Sequence, residues 1–450
     1  MHPMPPALEA LSRPPFAVRG QLLTPLDGGG TRYLADGVLR IDDKGAIAGV
    51  SQADTAGPTD SADAIVDVRP WLLLPGMVDM HAHLPQLPAA GLGGGLDLLT
   101  WLQRYVFPLE RDFDADAAAR VAPAAFRGFA AAGTTTAVLY GAVFEDSVDE
   151  SFRAAEEHGM RVVLGKVLMD RLRYDSTVGD AQILDVSLRQ SADLITRWHG
   201  RDRGRLRYAV TPRFAVSCSA EILRESAALA ASTGTYWQTH LAEDHNEIQQ
   251  VRLLFPRAID YTDVYDKAGG LSDKAILAHA IHLSEREIGR LVETGAHIAH
   301  CPASNLFLAS GAMPLSRYLE AGLSVGLGSD IAGGPEMSLF SVMRAGAYTQ
   351  SGLRTMLGET RPPLQPLDWL RMATLAGAQA LGMADETGSL EQGKDADFIV
   401  VDPSLTAPMA GDDVPEPAEI MSRLMYRSRA DMVRGAWVRG RRLPATEADA

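Results

Sequence analysis

The spacing of apolar and polar positions divides this chain into two textures. Near the N-terminus, Val38-Leu39-Arg40-Ile41 and Ala48-Gly49-Val50 are short β-prone runs on either side of the turn signal Asp43-Lys44-Gly45. Near the C-terminus, Phe398-Ile399-Val400-Val401, residues 424–427 and Ala436-Trp437-Val438 read the same way. Ends this similar predict one small β-sandwich domain built from both termini, residues 1–71 and 385–450. The middle, residues 72–384, alternates short apolar strands with longer helical stretches. Eight strands are expected, over 72–83, 135–140, 161–167, 207–214, 236–241, 275–282, 297–301 and 324–329. Helices are expected between them, for example over 220–233 and over 284–294, where Ser284 and Glu287 form a capping box. Strands alternating with helices make a parallel sheet, and eight such units make a (β/α)8 barrel, an α/β fold. An open doubly wound sheet is the competitor, but no Gly-x-Gly-x-x-Gly follows an early strand.

Composition narrows the class of partner. Of 450 residues, 46% are hydrophobic and 22% charged, enough for a sizeable core. Lys plus Arg number 42 against 57 Asp plus Glu, a formal charge of -15, which argues against nucleic acid or an anionic membrane surface. A neutral small molecule remains open. The only cysteines, Cys218 and Cys301, make no disulfide framework. No apolar run approaches the ~20 residues of a membrane helix. The opening Met1-His2-Pro3-Met4-Pro5-Pro6 lacks a signal peptide's basic start and apolar core. A soluble, cytoplasmic protein is the expectation.

Metal-capable residues recur at the C-terminal ends of the expected strands, where barrel active sites lie. The first strand ends in Asp79-Met80-His81-Ala82-His83, and histidines two apart on a strand share a face. The fifth ends in Gln238-Thr239-His240-Leu241-Ala242-Glu243, the sixth carries His279, and the eighth ends in Gly328-Ser329-Asp330. Each has an ordinary reading: an incidental His pair, a core histidine, a helix N-cap at Asp330. Together those readings require unrelated accidents at one end of one barrel. His81, His83, His240 and Asp330 make an N3O set suited to Zn²⁺ or Fe²⁺ with a position open for water. His2, His158, His199 and His245 read as surface residues, and His282, His297 and His300 as structural.

These residues carry a resemblance. Pro75-Gly76-Met77-Val78-Asp79-Met80-His81-Ala82-His83 with Gly328-Ser329-Asp330 looks like the amidohydrolase superfamily. The segment from Gly388 to Asp397 resembles the signature of that superfamily's composite β-domain. More narrowly, the chain is similar to the guanine deaminases. The stretches that carry this are His83-Leu84-Pro85-Gln86, Trp101 through Glu110, Thr211-Pro212-Arg213-Phe214, Tyr261 through Tyr265, and His300 through Leu308. The resemblance implies a zinc-dependent aminohydrolase that converts guanine to xanthine and ammonia, commonly as a homodimer. Dinuclear relatives bridge their ions with a carboxylated lysine on the fourth strand. Thr211-Pro212-Arg213-Phe214 has none there and Lys166 is the nearest rival, so one metal per chain is expected, Zn²⁺ with Fe²⁺ as the alternative.

In that reading the metal activates a water and Asp330 accepts its proton. His279 orients it, and Glu243 protonates the ring nitrogen N3 beside the attacked carbon. Gln86, Arg213 and Phe214 would choose the substrate, because an arginine fork fits the O6 and N7 acceptors of guanine. Trp101 would cap the pocket or pack its loop. Leu172 stands where the relatives commonly carry a polar residue, at the expected far edge of the pocket. Pterins and 8-oxoguanine share guanine's amino–oxo edge and are the close alternatives. A cyclic-amide or halo-triazine hydrolase, or a non-catalytic scaffold, fits the residues less well.

Overall fold

The computed structural model describes residues 6–55, 65–358, 360–407 and 416–447. Its centre is a nearly closed barrel of eight parallel strands: β1 (Met77–His83), β2 (Thr134–Tyr140), β3 (Arg161–Gly165), β4 (Leu206–Pro212), β5 (Tyr236–Leu241), β6 (Ala275–His279), β7 (His297–His300) and β8 (Ser324–Leu327). They are neighbours in sequence order, and the pair Val167–Leu168 extends the third strand's pairing with the fourth. The ring is drawn together where β1 meets the turn after β8. There Asp330 N donates to His81 O at 2.7 Å and His83 N to Ile331 O at 2.9 Å. Fully buried Val78, Met80, Val138, Val163, Ala209 and Ala299 pack inside, with Ala378 and Met383 among them. Helices cover the outside. Glu285–Thr294 starts at the expected capping box, in which Ser284 and Glu287 satisfy each other's backbone N–H groups.

The terminal segments form one seven-stranded sheet. Phe16–Pro25, Thr31–Ile41, Ile47–Gln52 and Ile65–Pro75 come from the N-terminal side, and Phe398–Val401, Val433–Val438 and Arg441–Arg442 from the C-terminal side. The turn after Ile41 is fixed by Asp42, whose carboxylate accepts from Lys44 N and Ala46 N. Gly45 sits there at φ +84°, and a Cβ on it would lie 2.1 Å from Arg439 O, so only glycine fits. That turn bonds to the strand approaching Phe398, through Ile47 N to Lys394 O and Ala396 N to Gly45 O. The sheet thereby bends around its own core of Val18, Leu22, Leu39, Leu73, Phe398 and Trp437. Arg161, at the start of β3 and fully buried, pairs with Glu386, Asp395 and Asp397 and joins the barrel to this sheet.

Two expectations change. The strand expected over 72–83 is divided: Leu72–Pro75 pairs with Phe398–Val401 in the terminal sheet, and the barrel begins at Met77. The break falls at Gly76, where a Cβ would stand 2.0 Å from the Thr135 hydroxyl. Residues 424–427, expected as a strand, contain the end of the helix Pro417–Tyr426. Its Ile420, Met421, Leu424 and Met425 are buried and join the main core, so this part of the C-terminal segment packs on barrel helices. Four apolar-rich residues fit either period, and the helix is decided by partners far away in sequence. Among the described residues no helix is long and apolar enough to cross a membrane.

Candidate active site

The strands expected to end at 282 and 329 stop early because the backbone turns at their C-terminal ends. Ala242, His279, Ala280 and Asp330 all have positive φ, between +47° and +67°. Non-glycine residues adopt this conformation at a cost, and such strain collects at functional sites. The register of β1 against β2 also shifts between Asp79 and Ala82, a bulge of the kind that re-aims side chains beside active sites. Asp79, fully buried, spans from this bulge to the turn after β8, accepting from His81 N and Ser329 N. Burial pushes its carboxyl up to about 7.

These turns bring the imidazoles together. His83 Nε2 lies 3.3 Å from His81 Nε2 and 3.2 Å from His240 Nε2. Asp330 Oδ1 is 3.2 Å from His81 Nε2 and 3.5 Å from His83 Nε2. Two donors bound ~2.0–2.1 Å from one ion at a tetrahedral angle stand about 3.3–3.4 Å apart, so these spacings fit a divalent metal. The donor chemistry fits as well. Burial lowers His81 and pushes His83 and His240 well below the ordinary imidazole range, which keeps the rings neutral with a lone pair to offer. His240 donates from Nδ1 to Arg213 O at 2.6 Å, and that fixes Nε2 as the free nitrogen. Ser304 donates to Asp330 Oδ2 at 2.6 Å. Burial opposes the charge on Asp330, but His81 and His279 outweigh it and hold the carboxyl down at about 2.

Beside this cluster stand Glu243 and His279. His279 Nε2 is 3.4 Å from Glu243 Oε2 and 3.8 Å from Asp330 Oδ2. Its Nδ1 donates to Asn305 Oδ1 at 2.8 Å, which turns Nε2 toward the two acids. Burial disfavours charge on His279, yet Glu243 and Asp330 raise its pKa above the usual value. Glu243 is pushed up to about 7, by burial first, with His279 pulling against it and Asp330 adding to it. A carboxyl near neutrality between a histidine and a second acid can give and take a proton at working pH.

One cavity gathers the remaining expected residues: His83, Gln86, Trp101, Arg213, Phe214, His240, Glu243, His279 and Asp330 all line it, under Leu98, Leu102 and Leu308. Trp101 both lines the cavity and holds its loop, donating from Nε1 to Leu92 O at 2.9 Å. Phe214 meets His240 edge-on with ring centres 6.4 Å apart. Leu172 is half-exposed and outside this lining. Lys166 lines a separate, larger cavity of about 380 Å³. His158 and His199 are half-buried rather than superficial, bonded to Pro444 O and Tyr208 N. His282 and His297 make structural hydrogen bonds, whereas no described residue reaches either ring nitrogen of buried His300.

The model of the amidohydrolase family matches residues 72–443. A probable guanine deaminase of Deinococcus radiodurans is 37% identical over 445 residues, covering 97% of each chain. The chain belongs to the amidohydrolase family, among the guanine deaminases. Solved structures agree. The E. coli guanine deaminase superposes with a TM-score of 0.88 at 32% identity, covering 95% of this chain and 99% of its own. The C. acetobutylicum guanine deaminase, solved with guanine in its active site, gives 0.87 at 30% identity over 95% and 99%.

Several residues around this amidohydrolase cavity escaped the sequence reading. Tyr140 packs its ring against His81, His83 and His240 at 4.6–5.0 Å. Ser304 and Asn305 hold Asp330 and His279, and Ser310 donates to Glu243 at 3.1 Å. The signal for Ser304 and Asn305 was the segment His300 through Leu308, which resembles relatives. Glu110, fully buried, accepts from Gln86 Nε2 at 2.9 Å and pairs with Arg213.

Proposed function

We propose that this chain hydrolyses guanine to xanthine and ammonia, using one zinc ion held by His81, His83, His240 and Asp330. The observation that carries the reading is a single cavity holding a metal-capable donor set, an acid near neutrality at Glu243 and the hydrogen-bonding pair Gln86 and Arg213. When bound, the metal would lower the pKa of water from about 15.7 towards ~7. Asp330 takes the proton from the attacking water and His279 orients that water. Glu243 delivers a proton to N3, next to the attacked C2, so that electron density from the new C–O bond is accommodated in the ring. The proton held at Asp330 then leaves with ammonia as the C–N bond breaks, and the C2 hydroxyl gives its remaining proton back to Glu243 as it becomes the second carbonyl of xanthine. Gln86 and Arg213 hold the opposite edge, and Phe214 lies against the flat ring. The ligand is a small purine, and a homodimer is the proposed assembly.

The test is ammonia release from guanine, isoxanthopterin, 8-oxoguanine, adenine and cytosine by metal-analysed protein. Release from guanine well above the other four, with one metal per chain, is expected. Release only from isoxanthopterin or 8-oxoguanine would overturn the substrate and keep the chemistry.

A further inference from the structure

Three polar side chains distant in sequence meet at the cavity wall. Glu110 is fully buried and uses both carboxylate oxygens, Oε1 for Gln86 Nε2 at 2.9 Å and Oε2 for Arg213 Nη1. Phe107 lies under the guanidinium, its ring centre 5.4 Å from Arg213 Cζ. Burial disfavours charge on Arg213, but Glu110 more than offsets it, so the guanidinium stays protonated. A carboxylate can only accept hydrogen bonds, whereas a glutamine amide can turn either end toward a partner. Against Glu110 the amide has one choice: its NH₂ faces the carboxylate and its Oε1 is left over. No described residue donates to that Oε1, and none accepts from Arg213 Nε or Nη2. Gln86 and Arg213 both line the cavity.

We propose that Glu110 is a positioning residue that sets which ring edge the cavity accepts. It holds Gln86 as an acceptor beside Arg213 as a donor, and this pair complements a ring lactam, an N–H next to a C=O. A ring amidine, with a bare nitrogen beside an amino group, places acceptor against acceptor and donor against donor. Each such buried mismatch leaves polar groups unpaired and is expected to weaken binding about tenfold or more. The inference rests on the guanine reading above but is testable by binding alone. Hypoxanthine carries the lactam edge without the 2-amino group, and adenine carries the reversed edge.

The experiment measures Kd for hypoxanthine and adenine on metal-loaded wild type, Glu110→Gln and Glu110→Asp, with KM and kcat for guanine alongside. Glutamine at 110 has nearly the same shape but can donate as well as accept, so Gln86 is free to flip. Glu110→Gln is expected to weaken hypoxanthine about tenfold while leaving adenine nearly unchanged, and to raise KM for guanine similarly with kcat within about threefold. Glu110→Asp stays acceptor-only and is expected to keep the preference for hypoxanthine. An unchanged preference in Glu110→Gln, or an equal loss in both variants, would overturn the proposal. If circular dichroism shows Glu110→Gln unfolded, Glu110→Ala decides: a preference for hypoxanthine cut towards equality supports the proposal and an unchanged one overturns it. A preference that depends on Glu110 in a protein that does not deaminate guanine would sustain this inference and refute the proposed reaction.

Discussion

The floor of the cavity and its wall are positioned by different means. His81, His83, His240 and Asp330 stand at the ends of β1 and β5 and in the turn after β8. They are aimed by main-chain geometry: the bulge in β1, the positive φ of Asp330, and the bonds from Asp330 N and His83 N across the closing strands. Gln86 and Glu110 sit on short helical turns after β1 and Arg213 directly follows β4, and their polar ends are held mainly by one another. A site built on strands keeps its geometry when one side chain is changed, and a site built from mutual side-chain contacts does not. Lesions in the floor should therefore remove chemistry and leave binding, and lesions in the wall should do the reverse.

The largest effect should come from Glu243→Gln, which keeps the shape and removes the proton. A fall in kcat of ~10²–10⁴ is expected, with hypoxanthine affinity unchanged. Loss of hypoxanthine binding along with turnover would mean that floor and wall are not separable.

The floor also stores instability. Glu243 titrates near 7 in the fold and near the ordinary 4.5 unfolded, so the folded chain binds that proton more tightly. The stability it contributes is complete below about 4.5 and is lost as pH rises through about 7. Asp79, also raised to about 7, behaves in the same sense. In metal-free protein, Glu243→Gln should be more stable than wild type by up to about 3 kcal/mol at pH 8, the difference vanishing below pH ~4.5. Urea denaturation across that range checks it, and a pH-independent difference would contradict it.

A smaller effect belongs to Ser304, whose hydroxyl holds Asp330 at 2.6 Å. Ser304→Ala should lower zinc affinity ~10–100-fold, as the loss of a ligand's supporting hydrogen bond does. Competition with a fluorescent chelator would show it, and the KM for guanine on zinc-saturated protein should not move.

The same contrast explains what the sequence made legible. The strand alternation and the histidines at strand ends are local patterns, and they pointed to the barrel and to residues that the fold brings together. Glu110 is not a local pattern. It appeared only as the end of the stretch Trp101 through Glu110 that resembles relatives, and its partner Arg213 lies 103 residues away. The division at Gly76 and the helix Pro417–Tyr426 escaped for the same reason: a close approach of Thr135 decides one, and packing on barrel helices the other.

Measuring kcat and KM for guanine on Glu243→Gln and Gln86→Leu side by side separates floor from wall. A collapsed kcat with KM little changed is expected in the first, and a KM raised about tenfold or more with kcat largely kept in the second. The same pattern of change in both variants would contradict that separation.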